Sequence, residues 1–134
     1  MKIKFKFVKL YFYIILTISV FIAFFGNKNI DAYGQVLLMI TTFPVFGILY
    51  KLNFNKFSDS IESKRPDLFA KYKMTIGVVR RINSLEIFNN SDFEKLEDIE
   101  LIKSLKLVKQ LYKLTMISFF TIILFAISFM LIKR

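Results

Sequence analysis

Five acids crowd into nine residues of this chain: Asp92, Glu94, Glu97, Asp98 and Glu100. That density is the chain's nearest approach to a divalent-cation site, because hard cations take carboxylate oxygens. The acids are interleaved with lysine and fall at expected helix starts. Carboxylates there cap free backbone N–H groups and oppose the helix dipole. We therefore read them as caps and solvated side chains, and expect no metal site.

The other chemistry-bearing group is basic: Lys51, Lys56, Lys64, Arg65, Lys71, Lys73, Arg80 and Arg81. Lysine and arginine flanking an apolar segment first of all fix topology, since they stay on the cytoplasmic side. Beyond that, they can attract anionic lipid headgroups, at about 1 kcal/mol per residue near the surface. Nucleic acid is not expected, because no base-stacking motif accompanies the set and the net charge around it is modest.

The chain has no histidine and no cysteine. This removes the commonest general base, thiolate nucleophiles, thiolate metal sites and disulfides. Its four glycines have no phosphate-cradling spacing, and no nucleophile stands beside a base. The expectation is a non-enzymatic protein without a cofactor.

The elements that must position these residues follow from the segregation of the sequence. Of 134 residues, 55% are hydrophobic and 22% charged, and the two classes lie in separate blocks. This is the pattern of a chain partly dissolved in lipid. Three apolar segments emerge: Val8–Phe25, Tyr33–Tyr50 and Leu114–Ile132. The first, of eighteen residues, gives about 27 Å of helix, close to the ~30 Å hydrocarbon core. Lysines precede it as in a signal peptide, but it ends Ile22-Ala23-Phe24-Phe25-Gly26 without small residues at cleavage spacing. We read it as retained. Apart from Lys9 at the start of the first, none of the three segments contains a charge, which disfavours a transporter acting alone.

Several local features sharpen the layout. Ser19 and Ala23, four apart, offer a small-residue face to another helix. Ser118, Thr121 and Ser128 share a face that would point at the other spans. Gly26–Ala32 reads as a tight hairpin between spans. Pro44 should kink the second span, with Thr41 helping to satisfy freed backbone groups. Five of the six tyrosines (11, 13, 33, 50 and 112) fall at the expected membrane edges, where an amphipathic ring sits well.

The block Lys51–Lys113 is the long polar part. Tyr50, Phe54, Phe57 and Ile61 are spaced 4, 3 and 4, one helical face. The second span should therefore continue as an amphipathic helix, ending near Arg65 because Pro66 follows. Pro66-Asp67 suits a first helical turn, with Leu68, Phe69 and Tyr72 as its buried side through Met74. Thr75–Phe88 stays open between a strand around Ile76-Gly77-Val78-Val79 and a bent helix. Ser91 followed by Glu94 matches a capping box. The stripe Leu101, Leu105, Val108, Tyr112 excludes Phe93 and Leu96, so a break near Glu97-Asp98 is expected, with Asp98 as a fresh N-cap.

The expected architecture is an all-α membrane protein in three parts. Residues 1–50 form a two-span hairpin, 51–113 a basic cytoplasmic helical domain, and 114–134 the last span. Lysine and arginine counts of four in residues 1–9, one in 26–32, thirteen in 51–113 and two in 133–134 place the N-terminus inside and the C-terminus outside. Residues 51–113 carry thirteen cations against nine acids, a net charge of +4.

From Leu52 onward the layout resembles the universal stress protein B family of small bacterial inner-membrane proteins. The carrying features are the basic amphipathic exit helix, the turn Arg65-Pro66-Asp67-Leu68-Phe69, and Leu101–Leu114 (LIKSLKLVKQLYKL) running into a terminal span. The resemblance spans about 80 residues, and the additional N-terminal span departs from that family's two-span layout. It implies an inner-membrane protein linked to stress and supplies no catalytic residue. The expected partners are membrane lipids, a larger membrane protein, or further copies of the chain. Two other functions fit the composition: a membrane-perturbing, toxin-like or holin-like oligomer, and a lipid-modifying enzyme using Arg65, Asp67, Arg80 and Arg81.

Overall fold

The computed structural model describes residues 5–26 and 31–132. In chain order these form α1 (Phe5–Phe25), α2 (Asp31–Thr41), α3 (Phe43–Lys64), α4 (Pro66–Tyr72), β1 (Lys73–Ile76), β2 (Val79–Ile82), α5 (Ser84–Asn89), a 3-10 turn (Ser91–Phe93) and α6 (Ile99–Ile132). Three stretches, Phe7–Phe25, Ala32–Lys64 and Ile99–Leu131, are long and apolar enough to cross a membrane. Most of the connection expected at Gly26–Ala32, the first lysines and the tail Lys133-Arg134 lie outside the described residues. The chain divides into two compact units, residues 1–48 with 111–134, and residues 49–110.

In the first unit α2 lies against α1 at its small residues. A Cβ added to Gly34 would collide with the Ser19 carbonyl oxygen and come within 2.9 Å of the Ala23 amide nitrogen. The backbones touch because no side chain stands between them. Around this contact Ala23, Leu38 and Phe125 form a core with Ile15, Leu16, Val20, Ile122 and Phe129 against it.

The second apolar stretch is interrupted at Thr42 alone, two residues before Pro44, and helical bonds continue through it from Thr42 N–H to the Leu38 carbonyl and from Phe46 N–H to the Thr42 carbonyl. Pro44 sits in the first turn of α3, where a missing N–H costs no helical bond. The Thr41 hydroxyl donates back to the Leu37 carbonyl at 2.6 Å. The Thr41 carbonyl, in turn, accepts from the Tyr11 hydroxyl at 2.8 Å. Tyr11, expected at a membrane edge, thereby satisfies the backbone beside the interruption.

The hydroxyl face expected on α6 divides. Ser118 is fully buried, Thr121 half-buried and Ser128 exposed. Ser118 donates to the Leu114 carbonyl of its own turn at 2.6 Å, as Thr115 does to Leu111 at 2.8 Å. These hydroxyls are satisfied within the helix, so Ser118 contributes small size and no cross-helix bond.

The second unit has its own core. Phe54, Phe57 and Ile61 of α3 meet Leu68, Phe69 and Tyr72 of α4, Ile82 of β2, Ile87 of α5, Phe93, Leu96, and Leu101, Leu105 and Val108 of α6. The helical stripe read from the sequence is this core's first wall. The wall ends at Lys64, one residue before Arg65 and two before Pro66.

Three expectations are corrected here. A two-stranded antiparallel hairpin stands where an all-α fold was expected, pairing Lys73 with Ile82, Met74 with Arg81, Thr75 with Arg80 and Ile76 with Val79. Accordingly α4 ends at Tyr72 and Met74 belongs to β1. Ser91 is not an α-helical N-cap: the Asn90 side chain accepts from the Asp92 N–H at 3.1 Å, and the result is one 3-10 turn. An Asn side chain bonding two residues ahead outcompetes the hydroxyl next to it. Asp98 does cap α6, its Oδ1 accepting from Glu100 and Leu101 N–H at 2.8 and 3.1 Å.

Candidate functional site

Four of the five acids that suggested a cation site pair with cations of the second unit. Lys64 at the end of α3 donates to Asp98 Oδ2 and Glu100 Oε2, both at 2.9 Å. These bonds hold the Lys64 ammonium in its charged form, its pKa raised chiefly by Asp98 and then Glu100. The Asp98 carboxyl is lowered, chiefly by Lys64 and then by the Leu101 N–H.

Arg65 closes on Asp67 with two bonds, 3.0 Å from Nε and 2.7 Å from Nη2. This planar fork lowers the Asp67 pKa to about 2. Lys71 and the Tyr72 hydroxyl both donate to Asp92 Oδ2, each at 2.7 Å, and Asp92 is lowered by Lys71 first and Tyr72 second. Glu94 pairs with Lys109 at 3.8 Å. Among the described residues no group of three acids gathers as metal ligands.

Arg65, Asp67, Leu68, Lys71, Asp92 and Lys95 line an open cleft of about 340 Å³. It contains two matched ion pairs and one further cation. The pairs are exposed and salt-screened, so they position backbone more than they store stability. Lys95 was not among the residues singled out from the sequence, and only the fold brings it beside Arg65 and Lys71.

The eight basic residues therefore divide. Lys64, Arg65, Lys71 and Arg81 are held by acids, Arg81 through Asp59 at 3.0 Å. Lys51 and Lys56 on α3, with Lys73 and Arg80 on the hairpin, are exposed and form no ion pair among the described residues.

The hairpin is the most exposed structure in this unit. Its base is fixed: Ile82 is in the core, and the Ile82 N–H donates to the buried Ser58 hydroxyl of α3 at 3.0 Å. The Asn83 N–H adds a bond to the Tyr72 carbonyl at 2.9 Å. Beyond the base, every residue from Lys73 to Arg80 is exposed, including Met74, Ile76 at 68%, Val79 and Val78 at 100%. Gly77 has φ +60 and Val78 does not have a positive φ, which is the two-residue turn with glycine first.

The pairing assigns side chains to faces, because directly opposed residues in an antiparallel pair share one. Met74, Ile76 and Val79 share a face with Arg81. Lys73, Thr75 and Arg80 share the other with Ile82. The alternation around Gly77 carried this signal in the sequence, but its four apolar residues were too short to separate strand from helix.

Compared with protein-family models, curated proteins and solved structures, the chain matches none of them.

Proposed function

We propose that this is a non-enzymatic, multi-pass protein of a bacterial cytoplasmic membrane, and that residues 49–110 are its binding module. In this reading the N-terminus and the module lie inside and the C-terminus outside. The module engages a larger membrane protein or the anionic membrane surface, as an accessory subunit or a membrane-stress factor. The three apolar stretches support the membrane placement. The thirteen cations of residues 51–113 support the orientation, and the likeness to the universal stress protein B layout supports the stress role.

One observation carries the binding role. A hairpin anchored at its base by Ile82 and Ser58 keeps four large apolar side chains out of any core. A folded unit that buries Phe57, Phe93 and Ile87 completely could bury these as well. Exposed apolar surface beside polar residues marks an interaction site.

The test is recovery of the tagged full-length protein from its own membranes in mild detergent, with analysis of co-purifying protein and lipid. Membranes washed in alkali should retain the protein. A stoichiometric protein or an enriched anionic lipid should accompany the wild type. It should be lost from the triple variant Ile76→Ser, Val78→Ser, Val79→Ser, in which every substituted residue is exposed. Identical recovery from both proteins would contradict the reading.

A further inference from the structure

We infer that the occupant of the hairpin is an anionic lipid bilayer, with Val78 at the tip entering the headgroup–acyl boundary. The inference rests on the proposed function and names its ligand. Three observations converge on it. The first is the two-faced construction beyond the base of the hairpin, where Ile82 is in the core and Arg81 is paired with Asp59: Met74, Ile76 and Val79 lie on one side and Lys73, Thr75 and Arg80 on the other. An element lying in a membrane interface needs this arrangement: apolar groups reach the acyl region while long basic side chains extend to the phosphates.

The second observation is charge. Lys73 and Arg80 are exposed and form no ion pair among the described residues, although the same unit pairs Lys64, Arg65, Lys71 and Arg81 with acids. From Lys73 through Leu85 the sequence has three cations and no acid, and among the described residues only Arg81 of the three is paired, with Asp59. A surface of that sign complements phosphatidylglycerol-type headgroups. The third is that the same chain has three stretches long and apolar enough to hold it in a bilayer. A module tethered to its own target meets it at high effective concentration, so a small contact suffices. A hairpin tip of four apolar residues is small for a protein interface that must form from solution.

The chain has no cysteine, so Val78→Cys creates a unique attachment point for an environment-sensitive fluorophore. The labelled full-length protein is reconstituted into vesicles of phosphatidylcholine alone or with phosphatidylglycerol. We expect blue-shifted emission in the anionic vesicles, quenched by lipids carrying a nitroxide high on the acyl chain. The double variant Lys73→Glu, Arg80→Glu should require roughly tenfold more anionic lipid for the same shift. Emission characteristic of water in both vesicles overturns the inference. If the label is nonetheless shielded in the native membrane, the hairpin holds a protein, and the proposed binding module stands without this ligand. If it remains in water there too, both fail.

Discussion

Gly34 and Gly47 both lie in the second apolar stretch, and one added methyl group should affect them in opposite ways. At Gly34 the new Cβ meets backbone, the Ser19 carbonyl and the Ala23 nitrogen, which cannot swing aside. At Gly47 nothing lies within 4 Å. Gly34→Ala should therefore force α1 and α2 apart and destabilise the first unit by about 1–3 kcal/mol, the usual range for overpacking. Gly47→Ala removes a flexible residue from a helix and should stabilise by roughly 0.5–1 kcal/mol. Thermal unfolding of the two variants in detergent reads the contrast directly, and equal shifts would contradict the packing described. Ser19 and Ala23 were legible as a small-residue face because their spacing is helical. Their partner was not, because nothing in the sequence says which glycine lies opposite. Tyr11 shows the same limit. Its aromatic type suggested a membrane edge, while its bond to the Thr41 carbonyl depends on where a second helix is interrupted.

At the scale of elements, the sequence was most readable where one residue dictates backbone. Pro66 ends α3 and opens α4, and Asp98 starts α6. The stripe Tyr50, Phe54, Phe57, Ile61 was readable because its period is that of a helix and one side of it meets a core. The hairpin was ambiguous because strand pairing is non-local: Ile76 and Val79 match a short helix as well as two strands until Ile82 is seen bound to Ser58. Ser91 was misread because two capping side chains are adjacent and Asn90 prevails. The ion pairs joining these elements predict a pH profile. Asp67, Asp92 and Asp98 titrate lower in the folded protein. Their contribution is therefore present above the ordinary carboxyl value, near 4, and is lost as pH falls toward the folded value, about 2 for Asp67. Lys64 and Lys71 titrate higher when folded. Their contribution is full below the ordinary lysine value, near 10, and is lost as pH rises through the raised one. Stability of the second unit should thus be flat between about pH 5 and 9 and decline on both sides. The slopes should be shallow, because Lys64, Asp67 and Lys71 are exposed, Asp92 and Asp98 only half-buried, and the pairs are screened. Circular dichroism melting of the full-length protein on both sides of that range as well as within it tests the profile. A melting temperature that rises below pH 4 would contradict the pairing.

For the whole molecule, the division of labour follows from where charge is allowed. Residues 49–110 contain nine of the ten acids, and most of those described above clamp one element of the unit to another. The free charge that results is positive, and its hairpin portion stands beside exposed apolar side chains. Asp67 and Asp92 in the cleft are held ionised by Arg65 and Lys71. Blocks of apolar sequence, Lys and Arg distribution and the polar insertion were all legible without a structure, because hydrophobicity and charge act residue by residue. What the insertion presents to its surroundings depended on a hairpin that only the fold reveals. The most direct test of the account is photo-crosslinking in living cells from a photoreactive amino acid placed at Val78 of the full-length protein. The account predicts abundant adducts with lipid or with one membrane protein, and few from the same probe at Ser63, an exposed position on α3. Equal, sparse crosslinking from both positions would show that the hairpin touches only water and would contradict the central claim.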